Sequence, residues 1–295
     1  TESGIPFTSD NENVTTVSAD GTVTIKNAGT AKITVSMDES QNFLAVSKEV
    51  TVTVAPKEIT VTPDNASKVY GESDKEFTYT PSGLVGEDTL SDITLSRAEG
   101  DNVGTYEITA AQKKDANPNY SVKFNKGTFT INPKEITVTI TPNGGTYEGN
   151  IISAAAVLNG LVGEDKPEII LTYAGKANDG TEVNGTKTPV LAGTYTVTAS
   201  ITDSNYNLKA EGTTAEFVVT KATPGLSVAA VSDKSYGEGA FKLGVSNKGD
   251  GLKSYVSSNE KVVTVDEKGT ITIVGAGTAT LTVSLAESAN YTADR

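Results

Sequence analysis

The stretch that decides the fold is residues 29–37, Gly-Thr-Ala-Lys-Ile-Thr-Val-Ser-Met, in which apolar and polar side chains alternate after a Gly-Thr pair. A period of two puts one set of side chains on a buried face and the other in water, which is typical of a half-buried β-strand. The pattern follows Gly-Thr three more times, at residues 104–110, 193–201 and 277–285. No stretch predicts a helix with comparable strength. The sequence therefore predicts an all-β fold made of repeats.

Two classes of repeat are found when the chain is aligned on itself. Residues 57–88 align without a gap on residues 134–165, and residues 8–43 align without a gap on residues 256–291. Residues 151–158 contain three consecutive alanines and would favour a helix on propensity alone. They fall opposite an alternating segment of the preceding repeat, however, so we predict a strand there with a thinner core behind it. The order of repeats is A-B-B-A.

Short linkers that contain proline separate the repeats. We predict four Ig-like β-sandwich domains with boundaries 1–55, 56–132, 133–220 and 221–295, called the first to fourth repeats below. Proline restricts its own φ and keeps the preceding residue extended, so we expect restricted hinges and domains placed end to end. With strands of typical length, the result would be an elongated rod on the order of 120 Å.

The two outer repeats are expected to be incomplete. The first repeat lacks a counterpart of the opening strands of the fourth, and the fourth stops before any counterpart of Val50–Val54. A sandwich that lacks a strand exposes unpaired backbone groups along one edge, and such an edge can pair with another chain. We therefore predict self-association through the terminal domains, by strand exchange or edge pairing. The chain starts at Thr1 without a signal-peptide pattern and is expected to be a piece of a longer soluble protein.

Composition excludes most familiar enzyme chemistry. The chain has no His and no Cys, so it offers no imidazole for zinc or a Ser-His-Asp triad, and no thiolate or disulfide. A net charge of −13 disfavours nucleic acid and anionic lipid as partners, and no apolar run approaches the ~20 residues of a membrane helix. Sandwiches of about 80 residues are also too small to carry a catalytic cleft. We predict no enzyme activity, no catalytic residue, no metal and no cofactor.

Several motifs recur with the repeats, and each has a structural and a functional interpretation. An Asn followed by an aromatic residue closes every repeat, and we interpret the pair as a polar turn residue with an aromatic anchor, a ligand site being the alternative. The pairs are Asn42-Phe43, Asn119-Tyr120, Asn205-Tyr206 and Asn290-Tyr291. The acidic turns Glu87-Asp88 and Glu164-Asp165 could bind calcium, but no complete calcium-loop spacing occurs, which favours solvated hairpin tips. An isopeptide bond between Lys57 and Asn132 is a further hypothesis, and exposed junction residues are its simpler alternative.

Binding of a glycan is the main functional alternative to a purely structural role. Sugar platforms use aromatic faces and favour Trp, which this chain lacks. Most tyrosines occur at equivalent positions of the repeats, where we predict core packing. These are Tyr70, Tyr106, Tyr120, Tyr147, Tyr195, Tyr206 and Tyr236. Tyr173 and Tyr255 are less constrained, and the identity of any ligand-binding residue is left open.

The motifs resemble two known families. The outer repeats resemble the bacterial Ig-like group 2 repeat of invasin-type surface proteins, through Ser257-Ser258-Asn259, Val262, Val265, Gly269 and Ala276-Gly277-Thr278. The inner repeats resemble MBG repeats of the YGX type, through Tyr70-Gly71-Glu72, the Gly-Leu-Val-Gly-Glu-Asp turn and Gly127-Thr128-Phe129-Thr130-Ile131. The third repeat departs from that pattern, because its order is Tyr147-Glu148-Gly149.

The resemblance implies a β-sandwich array of a bacterial cell-surface or secreted protein. We predict a noncatalytic stalk or spacer segment, of an adhesin in particular, that holds another domain away from the cell. The alternatives are a module that binds a host glycan or a surface protein, and an accessory region of a large extracellular glycoside hydrolase. In each case the expected location is extracellular.

Overall fold

The computed structural model describes residues 5–295 and is all-β, as predicted. Twenty-seven strands and no helix occur within that range. Consequently, none of the described residues belongs to a helix that is long and apolar enough to cross a membrane. The chain divides into two compact units, Thr1–Lys134 and Glu135–Arg295. Each unit contains two of the sequence repeats, and the four domain boundaries stay a prediction.

The first repeat forms a three-stranded antiparallel sheet in the order β1-β4-β5 and a separate hairpin of β2 and β3. The strand predicted at residues 29–37 is β4 and has these bounds. The predicted alternation of buried and exposed side chains is confirmed at the start of β4, because Ala31 and Ile33 are buried while Lys32 is exposed. The strands are β1 Phe7–Ser9, β2 Thr15–Val17, β3 Val23–Ile25, β4 Gly29–Met37 and β5 Val46–Val54.

The second repeat forms two sheets, β7-β12-β10-β9 and β11-β6-β8. The sheets pack face to face, since β10 contacts both β6 and β11 of the other sheet. Ile108, Phe129 and Ile131 are buried from one side, and Ile59 and Val61 from the other. The strands are β6 Lys57–Pro63, β7 Ala66–Val69, β8 Tyr79–Ser82, β9 Ile93–Arg97, β10 Gly104–Gln112, β11 Tyr120–Phe124 and β12 Gly127–Asn132.

The third repeat has the same two-sheet plan, with sheets β15-β13-β19 and β14-β20-β18-β16-β17. The alanine-rich segment is strand β15, antiparallel to β13 with Ala156 opposite Ile140, so the prediction of a strand is confirmed. Its core is dominated by Tyr173, Tyr195 and Phe217. The strands are β13 Lys134–Pro142, β14 Gly145–Thr146, β15 Ala154–Asn159, β16 Ile169–Ala177, β17 Glu182–Gly185, β18 Gly193–Ile201, β19 Tyr206–Leu208 and β20 Thr214–Thr220.

The fourth repeat forms three small sheets, β21-β23, β22-β26-β25 and β24-β27. Beyond β27, an isolated bridge between Leu285 and Asp294 matches the Met37–Val46 pair between β4 and β5 of the first repeat. Within the described residues, the remainder of that edge of β27 has no strand partner. The strands are β21 Ser227–Val228, β22 Phe241–Lys242, β23 Val245–Ser246, β24 Lys253–Ser257, β25 Val263–Val265, β26 Thr270–Ile273 and β27 Leu281–Leu285.

Candidate functional site

The asparagine of the Asn-aromatic pair joins the second repeat to the first. Asn119 Oδ1 accepts a hydrogen bond from the backbone N–H of Ala28 at 2.8 Å, and its Nδ2 donates to Asn27 Oδ1 at 2.8 Å. The carbonyl of Asn119 accepts the N–H of Lys57, in the linker region, at 2.9 Å. One residue therefore bonds both to the preceding repeat and to the start of its own.

The joint between the third and fourth repeats has the same construction. Asn290 Oδ1 accepts the N–H of Ala192 at 2.9 Å, and the Asn290 carbonyl accepts the linker N–H of Ala222 at 2.9 Å. A further bond runs from Asn178 Nδ2 to the carbonyl of Ala289 at 3.1 Å. The rings of Tyr147 and Tyr291 meet edge to face with centroids 5.5 Å apart, which adds an apolar contact to this joint. We call the asparagine-bearing turns Asn117–Tyr120 and Ser288–Tyr291 docking turns.

The N–H that receives each docking turn belongs to the residue just before a Gly-Thr pair. Gly29 has φ of 144°, and a Cβ on it would lie 2.7 Å from Val14 Cγ2. Only glycine fits such a position without strain, so the Gly-Thr pattern fixes the shape of the turn as well as the start of the strand. The turn leaves the Ala28 N–H directed outward, where a side-chain amide oxygen can reach it. We call this N–H and its turn the seat.

Sequence reasoning interpreted the Asn-aromatic pair as a feature within each repeat and missed this role between repeats. The signal was present, since both the pair and the Gly-Thr turn recur in every repeat. The sequence does not show which Asn-aromatic turn contacts which Gly-Thr turn, because the hydrogen-bonded residues are 91 and 98 positions apart.

The acidic turns, for which calcium binding was the alternative to solvated hairpin tips, are held by tyrosines of the same repeat. The Tyr120 hydroxyl donates to Asp88 Oδ2 and accepts the N–H of Val85 at 3.1 Å. The hydrogen bond to Asp88 raises the pKa of the Tyr120 hydroxyl above its usual value. Across the part of the chain that the structure describes, no group of three or more acidic side chains is arranged to bind a metal ion.

The third repeat has the same arrangement, a tyrosine hydroxyl bonded to an aspartate and to a backbone N–H of the acidic turn, which we call the clasp. The Tyr206 hydroxyl donates to Asp165 Oδ2 and accepts the N–H of Val162 at 2.9 Å. The aromatic half of each inner Asn-Tyr pair therefore anchors the acidic turn, while the asparagine of the second repeat forms the joint. In the second repeat the two halves of the motif have different partners, and in both inner repeats the tyrosine agrees with the prediction of an aromatic anchor.

A cluster of four charged side chains lies in the second repeat. Lys68, whose side chain is 6% exposed, is 2.7 Å from Asp74 and 3.6 Å from Asp101. Arg97 bonds to both aspartates and to the carbonyl of Gly100, and its guanidinium carbon lies 5.0 Å from the centroid of the Phe129 ring. The bonds from Arg97 and Lys68 hold the pKa of the Asp74 carboxyl below its usual value. All four charges have partners, so the cluster fits a structural role better than a catalytic one.

The isopeptide hypothesis for Lys57 and Asn132 gains no support from geometry. Lys57 begins β6 in one sheet, whereas Asn132 ends β12 in the other. The Asn132 amide donates to the carbonyl of Lys68 at 3.5 Å. Each residue thus pairs within its own sheet.

Six of the seven tyrosines predicted to pack in the cores are buried or half-buried, and one prediction is wrong. Tyr236 is 74% exposed and lines a surface cavity of about 510 Å³ in the fourth repeat. Its counterpart in the third repeat, Tyr147, is covered by Tyr291 of the next repeat. Tyr173, which the sequence left unconstrained, is buried with its hydroxyl accepting the N–H of Ala154 at 3.0 Å.

Comparisons with known proteins identify two parts of the chain. Residues 59–130 match the family model of the MBG domain (YGX type), and residues 236–287 match that of the intimin immunoglobulin-like domain. No curated protein matches. The group 2 assignment of the outer repeats and the MBG assignment of the third repeat stay predictions.

Among solved structures, one titled "Structure of surface layer protein SbsC, domains 4-9" is similar at 16% identity and a TM-score of 0.22. The match covers 99% of this chain and 57% of that chain. The two matched families are noncatalytic domain types. They fit a structural or adhesin-like protein of a bacterial surface.

Proposed function

We propose that this chain is a noncatalytic spacer segment of a bacterial cell-surface or secreted protein, in which asparagine joints limit bending between adjacent repeats. The observation that carries the proposal is the joint itself, which occurs twice with one design, at Asn119 and at Asn290. In each joint the side-chain oxygen bonds to the preceding repeat and the carbonyl bonds to the linker. The match to an intimin domain supports the further proposal that the parent protein is an adhesin.

The physics of the joint suits a spacer. Two hydrogen bonds of about 1 kcal/mol each favour the closed joint by roughly thirtyfold, which limits bending without fixing the chain completely. The net charge of −13 adds mutual repulsion between neighbouring chains on a surface. The glycan-binding and hydrolase-accessory alternatives stay predictions, since neither has a specific observation in its favour.

The test of the spacer uses the absence of cysteine, which allows spin labels to be placed at will. Labels on Glu12→Cys and Lys114→Cys, both exposed, report the distance between the first and second repeats. We expect a narrow distance distribution that at least doubles in width when Asn119→Ala is added. Asn125→Ala is the matched control, since that exposed amide bonds only to Thr62 in its own repeat.

Small-angle scattering of the unlabelled chain tests the same proposal at the level of shape. A spacer should have a maximum dimension on the order of 120 Å, from strands of typical length placed end to end. Asn119→Ala combined with Asn290→Ala should shorten and broaden the distribution of distances, while circular dichroism stays the same. A compact particle, or equal curves for the double variant and the wild type, would rule the spacer out.

A further inference from the structure

The first and last strands of the second repeat run parallel to each other in both of its sheets. β6 pairs with β11 in one sheet over five residue pairs, and β7 pairs with β12 in the other sheet over four residue pairs. The chain enters the repeat at β6 and leaves it after β12. The entering and leaving segments of the repeat are therefore joined directly by backbone ladders. We call the ladder between β7 and β12 the terminal ladder of this repeat.

Parallel pairing decides how such a ladder responds to tension along the chain. When the first and last strands are parallel, the chain enters at one end of the ladder and leaves at the other. Tension then slides one strand along the other and strains all the hydrogen bonds of the ladder together. With antiparallel strands, both chain ends would lie at the same end of the ladder, and the bonds would break one after another. A parallel terminal ladder therefore slows opening under load, and the rate of opening governs forced unfolding.

The third repeat has a shorter terminal ladder, formed by β14 and β20. This ladder contains two residue pairs, against four between β7 and β12. The two ladders end in the same way: the N–H of Tyr147 donates to the carbonyl of Thr220 at 2.8 Å, and the N–H of Tyr70 donates to the carbonyl of Asn132 at 2.9 Å. The third repeat therefore lacks two pairs at the start of its terminal ladder.

The sequence explains why the ladder of the third repeat starts late. Asn143 and Gly144 align with Ala66 and Ser67, the first two residues of β7. Asn and Gly are depleted in strands, and Gly has no side chain to pack, so β14 begins only at Gly145. The other sheet shows the same trend, since β19, which lies beside β13, has three residues, whereas β11, beside β6, has five.

The antiparallel ladders of the two repeats show the opposite trend. β18 pairs with β20 over six residue pairs and β13 with β15 over six. In the second repeat, β10 pairs with β12 over five residue pairs and β6 with β8 over four. The third repeat thus has the longer antiparallel ladders and the shorter terminal ladder, so the terminal ladder is the feature that would make it the weaker repeat under tension.

We propose that the two inner repeats bear tension along the chain unequally, so that the third repeat opens under load while the second stays folded. The inference rests on the proposed function, because a spacer that belongs to a surface adhesin is loaded along its length. Once opened, residues 134–220 can extend to about 300 Å, since an extended chain spans about 3.5 Å per residue. The third repeat is then an extensible element, and its opening lowers the force on the rest of the chain.

Single-molecule stretching of the full chain, held by its two ends, tests the order of opening. Oxidised cysteine pairs identify the steps, because a disulfide across a terminal ladder keeps the residues between its cysteines from extending. In this cysteine-free chain, Thr146→Cys with Thr220→Cys should remove the step of the third repeat, and Ser67→Cys with Thr130→Cys that of the second. The members of each pair lie opposite each other in their ladder.

In the chain without disulfides, the step assigned to the third repeat should come first. We expect this order about tenfold more often than the reverse, because forced opening follows the unfolding rate under load. The step assigned to the second repeat should need the higher force at the same loading rate. Opening of the second repeat before the third, or at the same force, overturns the inference.

A second measurement loads one terminal ladder in two directions. Handles on Asn65→Cys and Asn132→Cys pull opposite ends of the ladder between β7 and β12, as tension along the chain does. Handles on Asn65→Cys and Lys126→Cys pull both strands at the same end, and all three positions are exposed. The first arrangement should need roughly twice the force of the second, because its hydrogen bonds must break together.

Equal forces in the two arrangements also overturn the inference, because the terminal ladder would then not set the resistance of the repeat. These failures are distinct from a failure of the spacer. The spacer still stands if Asn119→Ala loosens the joint between the first and second repeats, whatever the order of opening. It falls if that variant leaves the joint unchanged, even where the third repeat opens first.

Discussion

The second and third repeats share one plan of strands but fill one core position in opposite ways. Arg97 in β9 pairs with Ile108 of β10, and Tyr173 in β16 pairs with Val197 of β18, so the two side chains occupy equivalent places. The Arg97 guanidinium carbon lies 5.0 Å from the centroid of Phe129. In the third repeat the ring of Tyr173 meets the ring of Phe217 at 6.4 Å and 85°. One repeat covers its phenylalanine with a cation, and the other with an aromatic edge.

The position of Lys68 in the second repeat is also uncharged in the third. Lys68 lies opposite Ile131 in the second repeat, and Gly145 lies opposite Val219 in the third. Asp74, which neutralises Lys68, is replaced in the alignment by Ile151. The comparison teaches that this part of the sandwich can be stable with paired charges, or with a buried tyrosine at the place of Arg97 and an exposed glycine and isoleucine at the places of Lys68 and Asp74. Paired charges, however, depend on every partner being present and ionised.

Breaking the charge cluster should give the largest effect. Arg97→Ala removes a partner of Asp74 and the cation over Phe129, and we expect the second repeat to lose about 2–3 kcal/mol of unfolding free energy. The loss is below the range for fully buried pairs because Asp101 is 84% exposed and can be solvated. Hydrogen exchange resolved by repeat is the measurement, since a chain of several domains does not unfold in one step.

Replacing members of the charge cluster by the corresponding residues of the third repeat tests the same comparison. Arg97→Tyr with Lys68→Gly and Asp74→Ile removes the cluster and places a tyrosine ring beside Phe129, and we expect the triple variant to lie within about 1 kcal/mol of the wild type. Apolar replacement of a whole buried cluster is often neutral, while loss of a single member is not. A triple variant as unstable as Arg97→Ala would show that the two solutions are not interchangeable.

Low pH should destabilise the second repeat more than the third, and the difference should be smaller than the effect of Arg97→Ala. The pKa of Asp74 is lowered in the folded chain, chiefly by hydrogen bonds from Arg97 and then Lys68. A lowered folded pKa contributes stability that is complete above the unfolded value of about 3.9 and is lost as pH falls through the folded value. We expect protection of the second repeat to decline below about pH 4 in step with Asp74 protonation.

The triple variant is the control for this acid effect, because it lacks Asp74 and the two cations around it. The third repeat also has a carboxyl with lowered pKa, Asp179, held by the backbone N–H of Thr181 on the surface. Its protection should therefore fall somewhat, but less than that of the second repeat. Acid profiles that are the same for wild type and triple variant would remove the cluster as the source.

Much of the fold could be predicted from the sequence because strand alternation is a local property. The limits of β4 and the strand nature of β15 were both predicted, the second from its partner in the alignment and against helix propensity. Tyr236 was misassigned for a different reason. Alignment gave it the role of Tyr147, which packs against the core of its own repeat and also meets the ring of Tyr291 of the following repeat, whereas Tyr236 is exposed.

The joints and the charge cluster could not be predicted, since both depend on contacts between distant segments. Lys68, Asp74 and Arg97 lie on separate segments of the second repeat and meet only when β7 and β9 join one sheet. Asn119 and Ala28 belong to different repeats of the sequence. A repeat alignment shows which positions are equivalent, but it does not show which positions touch.

The smallest expected effect tests what the two inner repeats have in common. Tyr120→Phe and Tyr206→Phe each remove the hydroxyl that links an acidic turn to the end of the repeat, and we expect a loss of about 1 kcal/mol in each. The two losses should be similar because the clasps have the same partners, with N–H to hydroxyl distances of 3.1 and 2.9 Å. Exchange of the Val85 and Val162 amides measures them directly. A loss confined to the second repeat would mean that its charge cluster, and not the shared clasp, sets the stability of that turn.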